Sequence, residues 1–160
     1  MLIRTPEGHL WETRSDDDGR TWSDPRSTVL VHPYARPMLC PLSDRLTLVA
    51  LHHNRHSVSF ETYKGLLGRN PEAFRDRSEI WASVSTDDGL IWSEPRFVNA
   101  LAETLANDFR NCQCSYIDVS ADGGPLHLLV PHRWRQVLHL QFKESDLAAF
   151  PTRAELARAR

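Results

Sequence analysis

Alternating apolar and polar positions run along most of the chain and are broken by short polar turns. Such alternation puts successive side chains on opposite faces of a β-strand. We therefore predict strands over residues 9–14, 26–31, 38–42, 46–52, 79–84, 96–99, 113–119, 126–131 and 137–142. Only the end of the chain differs. Thr152 and Glu155 have the spacing of a capping box, and residues 154–160 are rich in Ala, Arg, Leu and Glu, so we expect a short C-terminal helix.

Two of the predicted turns share one eight-residue pattern. Residues 15–22 read SDDDGRTW and residues 85–92 read STDDGLIW, so both fit S-x-D-x-G-x-x-W, and both continue into Ser, an acidic residue, Pro and Arg. In a hairpin turn the Asp can accept backbone N–H bonds and the Gly can supply a positive φ, while the Trp folds back between strands. We assign these roles, all structural, to Ser15, Asp17, Gly19, Trp22, Ser85, Asp87, Gly89 and Trp92. A repeated unit of this kind points to a repeat architecture.

The repeated pattern resembles the Asp-box, the hairpin signature of the sialidase-like (BNR or Asp-box repeat) β-propeller family. The resemblance implies an all-β fold: part of a six-bladed propeller of the sialidase type, in which each box joins the third and fourth strands of a blade. This register gives about two and a half four-stranded blades. Residues 1–31 would form half a blade, 37–99 a full blade and 112–142 three strands of another. The propeller part would span residues 1–147, followed by a helical tail over 148–160.

Closing such a ring takes at least about four blades, and this chain supplies fewer. The first and last predicted sheets would therefore be left open unless something else covers them. Two explanations remain open. The chain is either a fragment of a longer propeller, whose missing blades cover the open sheets, or a chain whose open sheets are covered by a copy of itself. We favour the fragment.

The same register sorts the connections between strands onto two faces. One face carries both boxes. The other, where sialidase-like enzymes bind substrate, collects His, Arg and aromatic residues from residues 31–36, 54–77, 100–111 and 132–135. Arginine can bind a carboxylate through a bidentate fork, and the chain is rich in arginine but has lysine only at positions 64 and 143. A basic, aromatic-lined face suits an acidic glycan or a small acidic sugar as partner.

The resemblance also suggests individual ligands for the sugar carboxylate. Sialidases hold it with three arginines, one of which immediately precedes the third strand of a late blade. Arg77 stands in that place and is the first candidate for substrate binding. No arginine matches in the preceding blade, where Arg4 is only close. The other candidate ligands on this face are Arg55, His132, Arg133 and Arg135.

The family's nucleophile is a tyrosine that opens the first strand of the last blade and is paired with a glutamate. Cys114 stands in its place here. Tyr116 would share a strand face with Cys114, which makes Tyr116 the candidate catalytic residue, with a core tyrosine as the alternative. Candidate carboxylate partners are Glu61, Glu72 and Glu79.

Composition narrows the remaining possibilities. A net charge of −2 gives no attraction to nucleic acid or membranes, and no run of 18 apolar residues is present. The N-terminus has no signal-peptide h-region, and the compartment stays unassigned. One Cys-x-Cys pair is weak as a zinc site, and alternation puts His52 and His53 on opposite strand faces. We therefore expect no metal, no other cofactor, no nucleic acid partner and no membrane.

The functional expectation is a sialidase-like exo-glycosidase domain that acts on acidic sugars. The alternatives are a non-catalytic carbohydrate-binding propeller and another carbohydrate-active enzyme on the same scaffold. The family's first arginine and its acid/base aspartate belong to early blades. We therefore expect the 160-residue chain alone to be inactive.

Overall fold

The computed structural model describes residues 1–53, 77–100, 114, 116–121, 124–132 and 136–159. In these residues strands dominate and form three antiparallel sheets, which confirms the all-β, partial-propeller prediction. The strands are β1 Leu2–Ile3, β2 His9–Glu12, β3 Arg26–Val31, β4 Met38–Pro41, β5 Leu48–His53, β6 Glu79–Ser85, β7 Arg96–Ala100, β8 Asp118–Ala121, β9 Leu126–His132 and β10 Gln136–Phe142. A 3₁₀ helix, Glu144–Ala148, and an α-helix, α1 Arg153–Arg158, follow. Neither has the length and apolar character needed to cross a membrane.

Each sheet is a meander of sequential strands. Sheet 1 has the order β1-β2-β3, sheet 2 the order β4-β5-β6-β7, and sheet 3 the order β8-β9-β10. Sheet 2 is the complete four-stranded unit. Sheet 1 has one strand more than alternation predicts, because the two-residue β1 pairs with β2 through Ile3 and Trp11. Sheet 3 begins later than predicted, since β8 starts at Asp118.

Two apolar layers join the sheets in chain order. Leu10 and Leu30 of sheet 1 pack with Ala50 and Trp92 of sheet 2. The larger layer lies between sheets 2 and 3 and contains Val49, Leu51, Ile80, Ala82, Leu126, Leu128 and Val130. Residues of one strand face serve one layer and their alternating neighbours serve the other, so both faces of sheet 2 are buried.

The C-terminal tail lies against the outer strand of sheet 2. Phe97 N–H donates to the Pro151 carbonyl at 2.8 Å, and Arg96 Nη1 donates to the Phe150 carbonyl at 2.9 Å. Thr152 caps α1, because its side chain accepts from the Glu155 N–H at 3.2 Å. The tail therefore supplies partners to an edge strand that would otherwise be open.

The two boxes share the hydrogen bonds of their Ser and Asp side chains, and the first box adds one from the Thr21 hydroxyl and one from Trp22 Nε1 to the Gly19 carbonyl at 3.0 Å. In the second box, Ser85 Oγ donates to Asp87 Oδ1 at 2.7 Å and accepts from Gly89 N–H at 2.8 Å. The same Oδ1 accepts from Ile91 N–H at 2.9 Å. In the first box, hydrogen bonds from the Thr21 hydroxyl and N–H lower the pKa of Asp17 to about 2. The charged carboxylate thus closes each turn.

The two box tryptophans differ in burial. Trp92 is 9 % exposed and belongs to the layer between sheets 1 and 2. Trp22 is 49 % exposed, so the expectation that it packs between neighbouring strands is wrong for this chain. The physical reason is that no sheet of the described residues lies on the outer side of sheet 1.

Gly89→Ala should destabilise the fold more than Gly19→Ala. Both glycines have φ near +80°, where a side chain costs about 1–2 kcal/mol. At Gly89 the new Cβ would also lie 3.3 Å from the packed ring of Trp92, whereas at Gly19 it would lie 3.5 Å from the exposed ring of Trp22. Urea denaturation followed by circular dichroism measures both costs. A larger loss at Gly19 would contradict this packing argument.

Candidate functional site

Two arginines and two tyrosines lie at one end of the sheets, and each arginine contacts a tyrosine. The Cζ of Arg4 lies 4.6 Å from the ring centroid of Tyr34. Arg77 Nη2 donates to the Tyr34 carbonyl at 3.0 Å, and the Cζ of Arg77 lies 5.7 Å from the ring centroid of Tyr116. Both ring distances are within the range of cation–π attraction. We call Arg4, Tyr34, Arg77 and Tyr116 the Arg–Tyr cluster.

All four residues come from connections at the end of the sheets opposite the boxes. Arg4 follows β1, Tyr34 lies between β3 and β4, Arg77 precedes β6 and Tyr116 precedes β8. All three sheets therefore contribute, although the residues are far apart in sequence. Loops held by rigid sheets are where binding and catalytic residues are usually found.

Tyr116 has an unusual backbone. Its φ is +63°, a left-handed value that a bulky residue adopts only at a cost of order 1–3 kcal/mol, and strain of this kind clusters at functional sites. Its side chain is 49 % exposed, which does not fit the alternative of a core tyrosine.

The prediction that Cys114 and Tyr116 share a strand face is wrong, since β8 starts only at Asp118. Cys114 is fully buried, its N–H donates to the Arg77 carbonyl at 2.7 Å, and its thiol donates to the Ser78 carbonyl at 3.7 Å. The left-handed turn at Tyr116 separates the two residues, with the thiol inside and the phenol outside. A cysteine nucleophile at position 114 is therefore inaccessible.

A layer of three buried histidines lies under the cluster. His32 Nδ1 accepts from the His53 N–H at 3.1 Å, so its proton is on Nε2, which donates to the Ala35 carbonyl at 3.0 Å. His53 Nδ1 donates to the Glu79 carbonyl at 2.9 Å. The rings of His32 and His53 stack with their centroids 5.4 Å apart. His52 Nδ1 donates to the Val31 carbonyl at 2.9 Å, and its Nε2 accepts from Ser83 Oγ at 3.1 Å. The layer thus ties the Tyr34 connection to sheet 2.

Burial keeps these histidines neutral. It lowers the pKa of His52 and of His53 to about 4, and the pKa of His32 falls well below its usual value. For His32, the neighbouring His53 and His52 and the charge of Arg77 act in the same direction as burial. Neutral rings add no charge to the site, so the positive charge near Tyr34 comes from the arginines. No group of three or more metal-ligating side chains occurs among the described residues.

The other predicted ligands are placed only in part. Arg55, Arg133 and Arg135 lie outside the described residues, as do Glu61 and Glu72; His132 is the last residue of β9, with no described side chain. Glu79 is 2 % exposed and accepts from Trp81 Nε1 at 3.0 Å, which does not suit a catalytic carboxylate. Arg4 is the member of the cluster that sequence reasoning set aside. Its position depends on the short strand β1, which alternation does not reveal.

Sequential β-meanders, two Asp-boxes at one end and a cluster of arginine and tyrosine at the other define a β-propeller repeat domain. A family model described as a BNR repeat-like domain matches residues 1–128, so the chain belongs to this family and the predicted resemblance is confirmed. No curated protein matches the sequence.

Proposed function

We propose that the Arg–Tyr cluster binds an acidic sugar and that the domain is part of a sialidase-like exo-glycosidase. Arg77 would hold the sugar carboxylate, with Arg4 as a second guanidinium. The observation that carries the proposal is the contact chain Arg4–Tyr34–Arg77–Tyr116, which puts two positive groups and two aromatic rings at one place.

The geometry of the cluster suits the binding of a planar carboxylate rather than unspecific attraction of anions. The Tyr34 carbonyl accepts from Arg77 Nη2 at 3.0 Å, which restricts the guanidinium before a ligand arrives. A pre-oriented guanidinium loses little freedom when it binds a planar carboxylate. The aromatic rings can pack against the apolar face of a sugar while the arginines hold its acid group.

Tyr116 is the candidate nucleophile in this proposal. Its phenol would give its proton to the glutamate that the resemblance pairs with the nucleophile, and its oxygen would form a bond to the anomeric carbon as the glycosidic C–O bond breaks through an oxocarbenium-like transition state. Water would later release the sugar and return the phenol. The proton for the departing alcohol would come from the acid/base aspartate that the resemblance assigns to early blades. Exposure and a strained backbone both favour Tyr116 for such a role.

Arg77→Met should weaken binding of N-acetylneuraminic acid by roughly 10- to 100-fold, because a charge-assisted pair contributes about 1.5–3 kcal/mol. Ligand-observed NMR on the 160-residue chain measures the change. The methyl ester of the same sugar, which lacks the charge, should bind the unmodified chain about as weakly as the acid binds the variant. Arg20→Met is the matched control, since Arg20 is an exposed arginine of the first box at the opposite end.

Equal binding of the acid and its ester, or equal affinity of the Arg77→Met and Arg20→Met variants, would refute the carboxylate role of Arg77.

A non-catalytic carbohydrate-binding propeller is the second candidate, and the burial of Glu79 against Trp81 favours it. A fluorogenic sialoside separates the two. In a propeller that also contains the early blades, hydrolysis that Tyr116→Phe abolishes, with binding retained, supports the enzyme, whereas binding without hydrolysis supports the second candidate.

A further inference from the structure

The connection that carries Tyr34 is a tight turn. Ala35 N–H donates to the Pro33 carbonyl at 2.6 Å, which closes a γ-turn around Tyr34. Because the Tyr34 carbonyl and the Ala35 N–H belong to one planar peptide group, this hydrogen bond also sets the direction of the carbonyl. The carbonyl takes no part in the bond that closes the turn and accepts from Arg77 Nη2 at 3.0 Å instead, at the surface where a ligand can reach the guanidinium.

The ring of His32 holds this turn from its buried side. His32 and Ala35 are each 1 % exposed, and His32 Nε2 donates to the Ala35 carbonyl at 3.0 Å. The backbone of His32 is held as well, since its N–H donates to the Gly8 carbonyl at 3.0 Å. Both backbone groups of Ala35 therefore have partners, and the peptide group that presents the Tyr34 carbonyl has little freedom to turn.

The same buried layer holds the strand that follows Arg77. The His53 N–H donates to His32 Nδ1 at 3.1 Å, and His53 Nδ1 donates to the Glu79 carbonyl at 2.9 Å. Glu79 lies two residues after Arg77 and opens β6. A continuous path of hydrogen bonds thus runs from the Tyr34 turn through two rings to the strand behind Arg77, and it places both partners of the Arg77–Tyr34 contact.

We propose that His32 is a positioning residue of the acidic-sugar site, which holds the Ala35 carbonyl so that the Tyr34 carbonyl orients the guanidinium of Arg77 for a carboxylate. His32 acts through the turn and touches no sugar. The Tyr34 carbonyl occupies one of the five N–H donors of the guanidinium, so a pair of donors remains for the ligand. The identity of the ligand rests on the proposed function, but the orientation of Arg77 is measurable without any sugar.

Two substitutions at position 32 separate the roles of the two ring nitrogens. The Gln amide of His32→Gln reaches about as far as Nε2 and can still donate to the Ala35 carbonyl. The shorter Asn of His32→Asn can accept from the His53 N–H in place of Nδ1 but does not reach the Ala35 carbonyl. The two variants are matched, because each keeps a neutral polar side chain in the same buried place.

Nitrogen-15 NMR of the arginine side chains of the 160-residue chain measures the orientation of Arg77 directly. A hydrogen bond to the Tyr34 carbonyl slows rotation of the guanidinium, so we expect resolved Arg77 Nη signals at low temperature in the unmodified chain and in His32→Gln. The signals should merge in His32→Asn. Arg77→Met assigns them, since they are missing from its spectrum.

Ligand-observed NMR with N-acetylneuraminic acid and its methyl ester then tests the consequence for binding. His32→Asn should weaken binding of the acid by roughly 5-fold and leave that of the ester unchanged, because the charge of Arg77 remains but is poorly oriented. His32→Gln should keep the preference for the acid. A general loss of structure would weaken acid and ester alike, so the ratio of the two affinities isolates the positioning effect.

Resolved Arg77 signals in His32→Asn, or signals that merge equally in both variants, overturn the positioning role whatever the sugar does. Merged signals in His32→Asn alone, with no chain that prefers the acid to the ester, support the positioning role and refute the proposed function. If circular dichroism shows that His32→Asn is unfolded, the nitrogen-15 shifts of the His32 ring in the unmodified chain decide. A proton on Nε2 that exchanges slowly supports the proposal, and a proton on Nδ1 overturns it.

Discussion

Trp92→Ala should lower the free energy of unfolding by about 3–5 kcal/mol, the usual cost of deleting a large buried aromatic side chain. Trp92 is 9 % exposed and fills the layer between sheets 1 and 2 with Leu10, Leu30 and Ala50. Its loss leaves a cavity that β-strands on both sides hold open. Guanidinium denaturation followed by far-UV circular dichroism measures the cost without relying on tryptophan fluorescence.

Trp22→Ala is the matched control, because Trp22 occupies the same position of the first box but is 49 % exposed. We expect a cost of about 1 kcal/mol. Trp92→Phe should recover part of the stability that Trp92→Ala loses. Similar costs for the two alanine variants would show that the box tryptophan acts within its own turn rather than between sheets.

The sequence predicts the repeated unit well because its signals are local. Each box sets its own turn through Ser, Asp and Gly, and alternation marks the strands on either side. The two-residue β1 is missed because it is too short to show alternation. The segment around Tyr116 is predicted as strand because its residue types favour strands, whereas Tyr116 has a positive φ and lies beside Arg77, a residue far from it in sequence.

The candidate site is predicted only in part because it is non-local. Arg77 can be predicted from the sequence because it lies just before a predicted strand, as the corresponding arginine does in the resembled family. The contact of Arg4 with Tyr34, and that of Tyr34 with Arg77, join residues of different sheets, which no local pattern encodes. Packing is non-local in the same way. Trp22 and Trp92 occupy the same position of the Asp-box but differ in burial, because burial depends on what lies next to the sheet.

Acid should destabilise the protein between about pH 6.5 and pH 4. The pKa of His52 and of His53 is about 4 in the folded chain, against about 6.5 when unfolded, and that of His32 is lowered too. The unfolded chain therefore binds more protons in this range, and stability rises with pH there. The contribution is fully present above pH 6.5 and is lost as the pH falls through 4. His52 and His53 each contribute on the order of 3 kcal/mol.

The Asp carboxylates of the boxes and of the turn at Asp44 affect stability at lower pH than the histidines do. Hydrogen bonds lower the pKa of Asp17, Asp44 and Asp87, so their contribution is lost only below about pH 4. His53→Asn separates the two effects, since the Asn amide can still donate to the Glu79 carbonyl but cannot gain a proton. The variant should show a smaller slope of unfolding free energy between pH 4 and 6.5 and an unchanged one below. NMR titration of the histidine C–H signals gives a direct check: a His32, His52 or His53 ring that titrates near pH 6.5 in the folded chain would contradict a neutral layer beneath the Arg–Tyr cluster.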